Sequence, residues 1–176
     1  MTAQSERNPT LDQWARRFRH LGQAEVYLPV VLGLLIAGRL LKRPGLLHAG
    51  RRAAIALLAV GLLGTGIKFA VGRVRPGFSQ SPREFRPFDG PSSFPSGHTA
   101  AAFALAGSLA LETSPAAGVV LLLGAGGTAW SRINDNKHWL SDVVSGAVMA
   151  LLAVWIVHRR DRGRTPSVPP PTPSPP

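Results

Sequence analysis

A chain of 176 residues has room for one domain, and 45% of it is hydrophobic although only 7% is aromatic. It contains no cysteine, which excludes disulfides and thiolate metal sites, so packing must hold it together. A formal charge of +11 calls for an anionic partner: nucleic acid, an anionic membrane or a phosphorylated substrate.

Residues 1–9 are polar and include Pro9, which predicts a loose terminus, and no basic start runs directly into an apolar core as in a cleavable signal. Leu11, Trp14, Ala15, Phe18 and Leu21 recur at helical spacing while Arg16, Arg17, Arg19 and His20 take the other face. This predicts an amphipathic helix lying in the membrane interface. Residues 24–41 are nearly all apolar and predict a first span, with Arg39 placed to reach the headgroups. Lys42, Arg43, Arg51 and Arg52 around Pro44-Gly45 read as a short basic loop over residues 42–52. A second span follows over residues 53–72. Its charge, Lys68, is either a functional group or a side chain reaching for the interface.

Residues 73–95 carry arginines and prolines without periodicity and predict a long loop outside the hydrocarbon. Short spans are expected over residues 99–111 and 116–130, joined by the Glu112-Thr113-Ser114-Pro115 turn, and a last one over residues 140–157. Small residues at Ala102, Ala106, Gly146 and Ala150 permit close helix approach in lipid. The end of the chain, almost entirely Pro, Ser and Thr, is expected to be disordered. The expected fold class is therefore all-α: a polytopic membrane helical bundle with about five transmembrane helices plus the N-terminal amphipathic interfacial helix. It divides into residues 1–23, a membrane domain over 24–158, and a basic then Pro-rich tail over 159–176. A water-soluble helical domain is the alternative, since the spans are short and the mean hydropathy is only +0.11.

Counting hairpins puts the 73–95 loop and the stretch Ser131 to Asp142 on one membrane face. His138 and Asp142 are four residues apart and would share a helix face, the carboxylate accepting from one ring nitrogen and leaving the other as a nucleophile. Arg132 is a planar donor suited to a phosphate-like oxyanion. The bland alternative is a capped helix start at the membrane surface, with Arg132 among the headgroups. Pro95-Ser96-Gly97-His98 runs straight into a helix, whose free amides make an anion seat, although Pro-Ser-Gly is also ordinary turn chemistry. Lys68 and Arg75 bring two further cations toward the same face. With Arg132 they can stabilise a phosphoryl group in transit, while one imidazole attacks phosphorus and the other protonates the leaving oxygen.

Lys68 with Arg75-Pro76, then Pro95-Ser96-Gly97-His98, then Ser131-Arg132 with His138 and Asp142, resemble the three-part signature of the type 2 phosphatidic acid phosphatase superfamily in order and spacing. The resemblance implies a helical fold and a phosphohistidine mechanism: His138 as nucleophile, Asp142 orienting it, His98 as acid and later as activator of water. It further implies that Lys68, Arg75, Arg132, Ser96 and the Gly97 amide hold the phosphate, with no metal and no cofactor. Membrane members usually have six spans, against five expected here.

The implied partner is a lipid phosphate in the bilayer, such as phosphatidic acid, phosphatidylglycerophosphate or a polyprenyl phosphate or diphosphate, with the site on the extracytoplasmic face. Arg83, Arg86 and Lys137 are either a second phosphate site or loop cations facing anionic lipid, and Glu84 and Asp135 read as solvated loop acids. His20, His48 and His158 fall outside the signature. The alternatives are a vanadate-dependent haloperoxidase-like enzyme, which shares the oxyanion site, and a non-catalytic membrane phospholipid-binding protein. Nucleic acid is not expected, because the positive charge is spread over both membrane faces without a recognition motif.

Overall fold

The computed structural model describes residues 8–90 and 92–163; most of the expected loose terminus and the Pro-rich tail lie outside them. The described residues form six helices: α1 (Pro9–His20), α2 (Ala24–Leu40), α3 (Pro44–Val71), α4 (Gly97–Ala110), α5 (Pro115–Asn134) and α6 (Leu140–Gly163). The chain is an all-α membrane bundle. Helices α2 to α6 overlap the five segments expected as spans, and α1 the amphipathic segment. Three of them, α3, α5 and α6, are by themselves long and apolar enough to cross a membrane, and α1 with α2 forms a fourth candidate bent by 43°. Helix α4 has 14 residues. At ~1.5 Å per residue it is shorter than a hydrocarbon core of ~30 Å, and it persists because α3, α5 and α6 surround it.

Two helix starts differ from expectation, both through proline. Asn8 caps α1 by accepting from the Thr10 amide at 2.9 Å, and Pro9 occupies the first turn, so these residues begin a helix instead of ending a loose terminus. Likewise the expected loop over residues 42–52 is mostly helix, because Pro44 stands in the first turn of α3, where its missing N–H is no loss. Arg52 is consequently inside the bundle. It is 2% exposed and donates to the Ser108 carbonyl and to Glu112 at 3.1 Å, with Asp161 at 4.0 Å, tying α3 to the ends of α4 and α6 on the face opposite the site.

Small residues set the packing. Ala56, Val60, Ala100, Ala104, Ala150 and Val154 form one buried cluster, and Ala102, Ala106 and Ala125 another. Leu28, Leu32, Leu58, Leu62, Leu123, Val148 and Leu152 stay exposed on the outer faces of α2, α3, α5 and α6. Such a belt faces lipid in a membrane protein. Gly146 lets α6 meet the start of α4, since a methyl group there would lie 2.6 Å from the Ser96 carbonyl oxygen. Gly146→Ala is expected to destabilise the protein by about 1–3 kcal/mol, read as a lower thermal unfolding midpoint in detergent. An unchanged midpoint would mean that the α4 start can yield.

Candidate active site

The 72–96 segment is folded onto the ends of α3 and α6 by one arginine. Gly72 closes α3 in the left-handed conformation, φ 61°, and packs so tightly on the Arg86 carbonyl that no side chain fits. Arg73 pairs across the loop with Phe85 in an isolated bridge. Its guanidinium donates to the Pro82 carbonyl, to Ser141 Oγ at 2.6 Å and to Asp142 Oδ1 at 2.6 Å, and lies 5.8 Å from the ring centroids of both Phe85 and Trp139. Trp139 adds a clamp, donating from Nε1 to the Val74 carbonyl at 2.9 Å.

His138 and Asp142 do come together, although not on one helix face. His138 lies in the turn before α6 and Asp142 in the first turn of that helix. The His138 Nδ1 is 2.7 Å from the Ser93 carbonyl and 3.7 Å from Asp142 Oδ2. A carbonyl can only accept, so Nδ1 carries the proton and Nε2 keeps its lone pair. Asp142, fully buried, receives Arg73 on one oxygen and the Trp139 amide at 2.8 Å on the other. Its backbone carbonyl accepts from the Ser96 amide at 2.9 Å, which joins the third motif to the second. The carboxylate therefore acts on the imidazole through its charge, and the shortest ring contact comes from Ser93.

The expected phosphate-binding residues gather nearby. Lys68 donates to the Ser92 carbonyl at 3.1 Å, and Ser92 Oγ accepts from the Arg73 amide at 2.8 Å. Ser96 is buried at the start of α4 and accepts from Thr99 Oγ1 at 3.0 Å, leaving its own proton to give. Gly97 faces open space, where an added methyl would meet nothing within 4 Å. Arg75 and Arg132 each keep a buried Nε without a protein partner. These are donors in want of an acceptor, as an oxyanion seat requires. Lys68, Gly97 and His98 line one end of a cavity of about 480 Å³, whose other end is Leu57, Val60, Gly61 and Met149. Arg86 is engaged by Glu84 at 2.6 Å on the exposed loop.

Sequence reasoning missed Arg73, Ser93 and Asp135. Asp135 is not a solvated acid: it lies 3.3 Å from Arg132 and 3.6 Å from Arg19. Neither the spacing nor the chemistry of Arg73 separates it from the other loop arginines, and Ser93 acts through its backbone, which has no sequence signal.

Burial is the main influence on His138 and holds its pKa below the ordinary 6.5; the Asp142 carboxylate opposes this, and Lys68 and Arg132 add to it. The ring is therefore neutral at neutral pH.

Fold and site define a polytopic helical membrane protein with a group of cationic donors, two histidines and a buried carboxylate at one end of the bundle. The model of the PAP2 superfamily matches residues 49–166, and the chain belongs to that superfamily. It is 36% identical over 102 residues to a lipid A 1-phosphatase of Porphyromonas gingivalis, a match spanning 56% of this chain and 21% of that protein. The chain thus covers about a fifth of that relative's length. The crystal structure of Aquifex aeolicus LpxE superposes with a TM-score of 0.70 at 25% identity, over 87% of this chain and 88% of that one. The crystal structure of the first transmembrane PAP2 type phosphatidylglycerolphosphate phosphatase from Bacillus subtilis gives 0.74 at 24% identity, over 90% and 80%. That second likeness is one of fold.

Proposed function

We propose that the protein is a metal-independent lipid phosphatase that moves a phosphoryl group from a membrane lipid first to His138 and then to water. The observation that carries this reading is the cavity that begins at Lys68, Gly97 and His98 and ends among Leu57, Val60 and Met149. Leu57 and Lys68 are on one helix, about 16 Å apart at ~1.5 Å per residue, so a phosphate at the polar end leaves its tail among the spans. The name of the curated relative, lipid A 1-phosphatase, agrees with a lipid phosphate as substrate.

In this reading His138 Nε2 attacks phosphorus, the P–O bond to the lipid breaks, and His98 gives its proton to the leaving oxygen. Water then attacks the phosphohistidine as His98 takes its proton, the P–N bond breaks and phosphate leaves. Lys68, Arg75, Arg132, Ser96 and the Gly97 amide stabilise the charge spread over the equatorial oxygens. The reading puts the site on the extracytoplasmic side, with Lys42, Arg43, Arg51, Arg159, Arg160 and Arg162 at the other end, set against Arg16, Arg17, Arg19, Arg73, Arg83 and Arg86 on the site side.

The test is phosphate release by detergent-purified protein from phosphatidic acid, phosphatidylglycerophosphate, and polyprenyl mono- and diphosphates, with EDTA present and a soluble phosphate ester alongside. Preferential, chelator-resistant cleavage of a lipid supports the proposal. Folded protein that cleaves none of them would leave a phospholipid-binding role in its place.

The pH profile follows from His138. A lowered pKa means that the ring sheds its proton at lower pH, so the neutral nucleophile survives below 6.5. The acid limb of kcat/KM is expected below that value, and a limb above it would argue against His138 as the attacking group.

A further inference from the structure

By its sequence Arg19 is one of several cations on the polar face of an interfacial helix, but the packing of α1 gives it another place. Asp12 accepts from Asn134 at 2.9 Å and the Phe18 carbonyl accepts from Thr128 at 2.9 Å, while the Phe18 ring fills the space beside Gly127. Helix α1 is thereby laid along the C-terminal half of α5. The chain then turns, and Gly22 presses on the His98 carbonyl so closely that no side chain fits there. Gly22 and Gln23 wall the substrate cavity on its His98 side.

Arg19 stands in the last turn before this corner. Its Nη1 lies 3.6 Å from Asp135 Oδ2, the same oxygen that accepts from Arg132 Nη1 at 3.3 Å. Its Nε is buried without a protein partner, as in Arg75 and Arg132. No part of the three-motif signature includes it.

The inference rests on the phosphatase reading above, in which His98 protonates the leaving oxygen and so marks the leaving-group side. We propose that Arg19 is a specificity residue that binds a second phosphoryl group on that side of the substrate, such as the inner phosphate of a lipid diphosphate. Lys68, Arg75 and Arg132 serve the phosphate that is transferred. Asp135 holds Arg19 and Arg132 on one oxygen, which keeps the two guanidinium groups beside each other.

The test uses the full chain in detergent with farnesyl diphosphate and farnesyl monophosphate as paired substrates, compared by initial rates. Arg19→Gln is expected to lower the diphosphate-to-monophosphate ratio of kcat/KM about tenfold, the worth of one charge-assisted contact, chiefly through KM. Arg19→Lys should recover most of that ratio. Phe18→Ala, which loosens α1 but keeps the charge, should lower both rates together and leave the ratio in place. A ratio unmoved by Arg19→Gln, or an equal loss on both substrates, overturns the proposal and makes Arg19 a docking residue of α1. Wild-type turnover of the monophosphate alone also overturns it, while the phosphatase reading stands. Turnover of neither compound nor of any lipid in the panel removes both.

Discussion

Replacing His138 by alanine is expected to abolish phosphate release from the lipid substrate, by a factor on the order of 10^4 or more, with the protein still folded. The size follows from what the residue uniquely supplies. In the proposed mechanism Lys68, Arg75, Arg132 and the α4 amides still bind and polarise the phosphate without it, but among the described residues no other ring has a lone pair fixed by a short Nδ1 contact to a backbone carbonyl. KM should therefore change little while kcat collapses, because the proposed mechanism gives binding to the cations. The substitution leaves the Ser93 carbonyl unpaired and a small cavity, a stability loss of about 1–3 kcal/mol that the folded state can absorb. Rapid-quench labelling with a radioactive lipid phosphate separates the cases: wild type should carry acid-labile, base-stable label, and His138→Ala none. Labelled His138→Ala would place the nucleophile elsewhere.

The second large effect concerns Arg73, which the three motifs do not include. Its guanidinium is the counter-charge of the fully buried Asp142 and at the same time holds the Pro82 carbonyl. Arg73→Ala is expected to cost about 3–5 kcal/mol, because a carboxylate would remain in the interior without a partner. Activity should fall with it, since the 72–96 loop carries Ser93 and leads into the start of α4. Arg73→Lys should recover only part, as one ammonium cannot reproduce a planar fork reaching loop and carboxylate together. Thermal unfolding in detergent alongside phosphate release checks both. An Arg73→Ala protein within about 1 kcal/mol of wild type would show that Asp142 finds another partner or sheds its charge on its own.

Much of this site was open to reading from the chain. Lys68, Arg75, Ser96, Gly97, His98, Arg132, His138 and Asp142 are all found around one end of the bundle, because alternating spans return their motifs to the same face. Other assignments failed where a local signal had two meanings. Pro44-Gly45 reads as a turn, yet proline in a first helical turn starts a helix, and this difference turned Arg52 from a loop cation into a buried tie between helices. His138 and Asp142 have helical spacing, but the helix begins between them.

The sequence by itself determined the membrane class, the order of the spans and the chemical inventory of the site, since these depend on runs of apolar residues and on motifs read along the chain. Only the tertiary structure decided which backbone carbonyl holds His138, which arginine neutralises Asp142, and that Asp135 joins Arg132 to an arginine from the first helix. Those contacts join residues far apart in the chain. They depend on how closely helix ends approach, which glycines at positions 22 and 146 permit through backbone contact. Hydrophobic periodicity records which face of a helix is covered; it carries no information about which polar group on a neighbouring helix end lies opposite.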